Sequence, residues 1–505
     1  MNFYTKYTIP FFVFITGACV LVIEITAIRI LSPYFGNTIF TVSSVISVVL
    51  AALSLGYYAG GKLADKYPTE KLFFGIISAS GGAVIFLHLI GTVFLANFGY
   101  KVSIIEGPII SSIILFFLQS FLLGTLSPFA IKLQKMRIEE MGVGSVSGQI
   151  FFWSTLGSIF GSLAAGFYLI PNFGIDKIIL GTGFLLIILG LFGRLKINAG
   201  LKTFLIILML LPIPFLVNSF NASKDNVIYQ QDSLYQKIII SDGFYGGQPA
   251  RFLMQDRNNS AAGFLDSNDL VYEYTKYYAL YQIFNPDPKE TLMIGGGAYS
   301  VPKAMLENST AQVDVAEIDP LIFELGKTYF NVPNSPRLQN FAQDGRRFLH
   351  DSNKKYDVIF SDAYASFYST PEHLTTQEFF KLAKDKLSAN GVFIANVVGS
   401  LGNKPKSFAF SEMKTFKSVF ENSYFFGVTS PTSSNIQNLI FVGYNGSDII
   451  DFNSPKIIKN KNPVIAGLSA KMINPDKFDL SKYQILTDNY APVDYLISKE
   501  FKNIY

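Results

Sequence analysis

The stretch LMIGGGAYSVPKAMLENSTAQVDVAEIDP, Leu292 to Pro320, reads as strand, glycine turn, helix and second strand. Apolar Leu292 to Ile294 lead into the turn, an amphipathic run follows it, and the short run Val313 to Ile318 carries Glu317 near its end. Gly295, Gly296 and Gly297 let the backbone turn sharply and approach a ligand closely. An acid about twenty residues further on suits the hydroxyls of a ribose. Three glycines in a row also serve as a plain tight turn. The strand–helix–strand context favours a nucleoside site at the carboxyl ends of the strands.

The same alternation continues downstream. The run QDGRRFL places Asp344 and Gly345 after a third strand, YDVIFSD ends a strand Tyr356 to Ser361 on Asp362, and Gly391 to Val398 reads as another. Strands alternating with helical segments predict a mostly parallel sheet covered on both faces, a Rossmann-like α/β fold. A carboxylate at such a strand end can accept the exocyclic amine of an adenine or act as a general base. Asp344 has a plainer use as the cap of the turn Arg346 to Leu349. Upstream, Val227 to Phe264 alternates, with turn signals at Asp242-Gly243 and Gly246-Gly247, and predicts a small antiparallel sheet. Leu270 to Phe284 has the spacing of an amphipathic helix rich in tyrosine.

The other half of the chain differs in composition. Hydrophobic residues make up 50% of the 505, and they crowd into the first ~218, in runs long enough to cross a hydrocarbon core. Seven such runs are Ile9 to Leu31, Ile39 to Tyr58, Leu72 to Leu95, Ile109 to Ile131, Ile150 to Ile170, Ile178 to Leu195 and Phe204 to Val217. The first is too long for a signal peptide and lacks a small-residue cleavage site. The expected division is therefore a polytopic helical membrane domain over 1–218, a linker over 219–226, the small sheet over 227–265 and the Rossmann-like domain over 266–505.

Gly56, Ala59, Gly60 and Gly61, and likewise Gly157, Gly161 and Gly166, allow helices to pack closely in lipid. Glu24 and Arg29 are costly inside a span and mark a polar site or partners on other spans. Lys62, Lys66 and Lys71, then Lys132, Lys135 and Arg137, then Arg194, Lys196 and Lys202 follow the second, fourth and sixth runs. By the positive-inside rule these three connections are cytoplasmic. Seven crossings would put the C-terminal half outside, where a nucleoside cofactor is not supplied. The seventh run is short and holds Pro212 and Pro214, so a re-entrant or interfacial placement, with a cytoplasmic C-terminal half in a multi-pass cell-membrane protein, is the expectation. The net charge of +4 suits anionic lipid and gives no sign of nucleic-acid binding. Cys19 is the single cysteine, and with only His88, His350 and His373 no metal site is expected.

With IGGG, VAEIDP, QDGRRFL and YDVIFSDA in this order, Tyr235 to about Val398 resembles the spermidine synthase family of aminopropyltransferases. The N-terminal stretches EITAIRILSPYFG, GYYAGGKLADKYP and STLGSIFGSLAAGFYLIP resemble the membrane-fused members. The resemblance implies that Gln236 and Glu317 contact the nucleoside and its ribose, that Asp344, Gly345 and Pro371 hold the adenine, and that Asp362 takes a proton from the attacking amine. The implied co-substrate is decarboxylated S-adenosylmethionine or its parent.

Three positions depart from the family. Ala298 replaces the aspartate that holds the aminopropyl ammonium, Ala365 replaces a diamine-holding aspartate, and Tyr274 stands where a substrate-contacting histidine is usual. The loop Ala363 to Thr376 brings Tyr364, Glu372 and His373 as replacement substrate contacts or as a solvated loop. Asp488, in TDNYAPVDYL, is a further residue that could turn back toward the site. The expected function is aminopropyl transfer to an amine, putrescine by family default, releasing methylthioadenosine. The alternatives are methyl or other alkyl transfer to a membrane-associated acceptor, and an amine transport or sensing module. The expected partners are the bilayer, a small amine or lipid-associated acceptor, and a second copy of the chain, with no nucleic acid.

Overall fold

A computed structural model describes residues 3–99, 101–195, 226–256, 258–364, 370–402 and 405–501. Its contacts divide the chain into a helical unit, Met1–Asp225 with Gln231–Gln236, and an α/β unit, Asn226–Gln230 with Lys237–Tyr505.

The helical unit consists of α1 (Phe3–Phe35), α2 (Ile39–Lys66), α3 (Glu70–Phe98), α4 (Gly107–Arg137), α5 (Val143–Ala164) and α6 (Ile175–Leu195). Six stretches along them are long and apolar enough to cross a membrane. They match the first six runs of the sequence, whereas Phe204 to Val217 and nearly all of the linker lie outside the described residues. Small residues act as expected at four positions. A Cβ on Gly56 or Gly60 would meet α4 backbone at 2.3 and 2.4 Å, and one on Gly157 or Gly161 would meet α1 backbone at 1.9 and 2.2 Å. Gly61 and Gly166 have no such neighbour.

The α/β unit starts with an antiparallel sheet of β1 (Val227–Asp232), β2 (Lys237–Tyr245), β3 (Gln248–Gln255) and β4 (Asn258–Phe264), in that order. Only one of the two expected turns is a turn. Gly246 and Gly247, at φ +57° and +82°, make the β2–β3 hairpin, the two-residue loop that positive φ permits. Asp242-Gly243 instead runs through β2, where Asp242 faces Arg251 and binds it at 2.7 Å. The helix expected over Leu270 to Phe284 is a 3₁₀ segment, Glu273–Leu280, ending in one α-turn, Tyr281–Phe284. Tyr277, Tyr278, Leu280 and Tyr281 are buried in succession, and a 3₁₀ segment tolerates this less regular pattern better than one face of a straight α-helix.

The main sheet has eight strands in the order β12-β10-β11-β9-β8-β5-β6-β7. These are β5 (Glu290–Ile294), β6 (Gln312–Ala316), β7 (Leu338–Phe341), β8 (Tyr356–Ser361), β9 (Leu387–Ser400), β10 (Asn422–Gly427), β11 (Ile436–Tyr444) and β12 (Met472–Ile473). β5 to β9 are parallel to their neighbours, and β10 to β12 extend the β9 edge antiparallel. Side-chain alternation sends Met293, Phe360 and Ile394 into one core with α7 (Ser300–Asn308) and α8 (Pro320–Tyr329). Leu292, Ile359 and Phe393 go to a second core, with α9 (Gly345–Asp351), α10 (Gln377–Asp385), α11 (Phe408–Lys417) and α12 (Val493–Phe501). The order reverses between β5 and β8, the place where such sheets open a crevice at their carboxyl ends.

Candidate active site

At that reversal the residues just past three strands meet. Gly295 N–H donates to Ala316 O at 2.9 Å, Asp362 N–H to Ile294 O at 2.9 Å and Glu317 N–H to Phe341 O at 3.0 Å, so each ladder runs one residue past its strand. Gly295 has φ +90°, and a Cβ there would lie 2.4 Å from Asp362 O. Backbone angle and space both require glycine. The turn points Gly296 N–H at Glu317 Oε2, 2.7 Å away, while Asp319 N–H donates to Oε1 at 2.9 Å. Burial pushes the Glu317 carboxyl above its usual range and the two N–H donors draw it back. Each carboxylate oxygen accepts more than one hydrogen bond, which leaves lone pairs for a ribose diol.

Asp362 is gripped from the side. Asn396 Nδ2, on β9, donates to Asp362 Oδ1 at 2.8 Å, and Asn438 Nδ2, on the neighbouring β11, donates to Asn396 Oδ1 at 2.9 Å. Tyr274 makes a second hydrogen bond to the Asp362 side chain. Burial raises the Asp362 carboxyl above its usual range, and the bonds from Asn396 and Tyr274 oppose the rise. Burial and the nearby Asp362 hold the Tyr274 phenol well above its usual range, so it stays a donor. The sequence assigned Tyr274 to substrate contact; its hydroxyl is engaged with Asp362.

Tyr364 needs a larger correction. Its hydroxyl donates to Asn396 O at 2.6 Å and accepts from Val398 N–H at 3.1 Å. These are backbone groups of β9 beyond the end of β8, so Tyr364 completes a sheet edge. Asp344 meets its expectation as a cap, since its Oδ1 accepts from Arg347 N–H at the start of α9 at 2.9 Å, while its Oδ2 binds His373 Nε2 at 2.8 Å. Burial alone would raise the Asp344 carboxyl, but His373 and the Arg347 N–H outweigh it and hold it below the usual range. Gly345 is pressed on β5, where a Cβ would come within 2.3 Å of Ile294 Cγ2. Asp488 does turn back: Arg346 forks onto it at 2.7 and 2.5 Å.

The remaining assignments separate. Pro371 caps the turn Glu372–Leu374, and the Glu372 side chain is exposed without a partner among the described residues. Ala298 lies in the apolar core at 2% exposure, and Ala365 is outside the described residues. Gln236 closes a turn with Ser233, in the segment that packs with the helical unit. In that unit Arg29 does not pair with Glu24; it donates to the carbonyls of Ser233, at 3.0 Å, and Tyr235. Glu24 has no hydrogen-bond partner among the described residues. Sequence reasoning missed Asn396 and Asn438, which carry no motif and gain meaning only through strand order, and the pairing of Arg346, inside QDGRRFL, with the distant Asp488.

Residues 279–452 match the spermine/spermidine synthase domain family. The chain is a transferase, and over those residues it is spermidine synthase-like. Its curated relatives include the polyamine aminopropyltransferase of Vibrio vulnificus, 28% identical over 46% of this chain and 77% of the relative. Polyamine aminopropyltransferase 1 of Streptomyces coelicolor is 23% identical over 454 residues, 84% of this chain and 81% of the relative, so that likeness extends well into the N-terminal half. A crystal structure of a probable spermidine synthase from Corynebacterium glutamicum matches 53% of this chain and 97% of its own, with 21% identity and a TM-score of 0.44. The spermidine synthase-like domain begins in the 3₁₀ segment and contains Gly295, Glu317, Asp344 and Asp362.

Proposed function

We propose that the chain is a membrane-embedded aminopropyltransferase that moves the aminopropyl group of decarboxylated S-adenosylmethionine to an amine, with putrescine the first acceptor to test. The observation that carries this reading is the Asp362 carboxylate, gripped by Asn396 and Tyr274 beside the glycine turn. A protonated amine has no lone pair, so attack requires a base at hydrogen-bond distance. The amine passes its proton to Asp362, its nitrogen bonds the carbon next to the sulfonium, and the C–S bond breaks with its electron pair going to sulfur. The products are a neutral methylthioadenosine and an extended amine. The sulfonium needs no further activation, so holding the two reactants in line supplies much of the remaining rate. Glu317 takes the ribose, and Asp344 with Gly345 takes the adenine. The six apolar helices support the membrane part of the proposal.

A second reading, transfer of the methyl group from the parent cofactor, is favoured by one observation. Ala298 is buried among apolar side chains and offers no charge to an aminopropyl ammonium, which is costly to desolvate without a partner. The deciding measurement is product analysis of the detergent-purified protein with each cofactor and putrescine. Spermidine and methylthioadenosine formed only from the decarboxylated cofactor are expected. Asp362→Asn should lower kcat by about 10²- to 10⁴-fold while nucleoside Kd stays within about threefold. Turnover with the parent cofactor alone would replace the first reading with the second.

A further inference from the structure

The carboxylate that the proposed function assigns to the adenine is not free. Asp344 Oδ1 is occupied by the Arg347 N–H and Oδ2 by His373 Nε2 at 2.8 Å. Both side chains remain within reach of a ligand, His373 at 48% and Asp344 at 31% exposure. The histidine is fixed from behind. Arg346 donates to His373 O at 3.0 Å and forks onto Asp488, which also accepts from Thr376 Oγ1 at 2.7 Å, while Asp488 N–H donates to Glu378 Oε2 at 3.0 Å. The start of α9, the turn Glu372–Leu374 and the C-terminal segment thus converge on one carboxylate.

We propose that His373 is a positioning residue that sets nucleobase selectivity, by holding the second oxygen of Asp344 aimed as an acceptor. The proposal rests on the nucleoside reading of this site. An ionised carboxylate accepts hydrogen bonds and donates none. It therefore takes the exocyclic amine of adenine and turns away the carbonyl that hypoxanthine has at that position. With His373 N–H on Oδ2, a second lone pair of that oxygen stays open to the amine, and the charge-assisted bond opposes protonation of the carboxyl. Without His373, Asp344 Oδ2 is free to rotate, and a carboxylate oxygen no longer held opposite the exocyclic position no longer distinguishes an amine from a carbonyl there. Selectivity is then lost even where affinity is not. The charged groups that face the imidazole are Asp344, Asp488 and Arg346.

The test is calorimetric titration of the full-length protein in detergent with methylthioadenosine and methylthioinosine, for wild type, His373→Ala and His373→Gln. Wild type should prefer the adenine compound by about 100-fold. His373→Ala should lose about tenfold or more of that ratio, and His373→Gln, whose amide can donate to Asp344, should recover most of it. A merely structural histidine would weaken both ligands together and leave the ratio unchanged, and that result overturns the proposal. A wild type that binds neither compound overturns the nucleoside reading itself, whereas tight, selective binding with an unaltered ratio in His373→Ala overturns only the role of His373.

Discussion

At the scale of single residues the sequence made the strand-end position of Asp362 legible and hid what holds its side chain. YDVIFSD ends on an acid, and a strand end is where a base belongs; Asn396 sits inside an apolar run with nothing to single it out. Its function depends on β9 lying next to β8, so that its amide reaches Asp362 at 2.8 Å. Burial raises the Asp362 carboxyl and the Asn396 bond opposes the rise, so removing that bond moves the carboxyl further up. A base acts in its ionised form, and a higher value shifts the onset of activity to higher pH. Asn396→Ala should therefore displace the acid limb of the kcat/KM–pH profile upward. Below that limb kcat/KM should fall about 10- to 100-fold, as expected for a charge-assisted bond of ~1.5–3 kcal/mol. An unmoved limb would mean that the amide has no hold on the base.

At the scale of elements, β5, β6 and β8 were legible because each is a short apolar run closed by a turn residue. The segment Glu273–Leu280 was misread because its tyrosines imitate an amphipathic helix, and the C-terminal helix α12 was not anticipated. Its anchor is Glu500, which accepts from Ser407 Oγ at 2.5 Å, Ala409 N–H at 3.1 Å and Ser400 N–H at 3.1 Å, tying α12 to the start of α11 and the end of β9. Close by on α11, Glu412 is 4% exposed and its Oε2 has no hydrogen-bond partner among the described residues. Burial, then the like charge of Glu500, push the Glu412 carboxyl well above its usual range. A folded value above the unfolded one adds stability at low pH and withdraws it as pH rises through the interval between the two. Glu412→Gln removes that dependence. The variant should be more stable than wild type by about 1–3 kcal/mol near pH 8 and should approach it near pH 4, read by thermal unfolding in detergent. A loss of stability at pH 8 would show that the ionised carboxylate has a partner in the folded protein.

At the scale of the whole chain the two halves were legible from composition alone, because an apolar run of span length has few other uses. The orientation of the helical unit follows from its charges. Lys132 pairs with Asp65 at 2.8 Å and Arg137 pairs with Glu70, so the connections after α2 and α4 share one end of the bundle and gather its cations there. For a bundle that spans the membrane as proposed, the positive-inside rule predicts that this end faces the cytoplasm and the α3–α4 connection faces outward. Cys19 is buried within α1, which makes the wild-type chain a silent background for a membrane-impermeant maleimide. Glu140 and Lys101 are exposed positions on the two connections. In intact cells Lys101→Cys should label and Glu140→Cys should not, and permeabilised cells should label both. The opposite pattern would invert the bundle. Labelling of neither site in intact cells, with both labelled after permeabilisation, would remove the bundle from the membrane altogether.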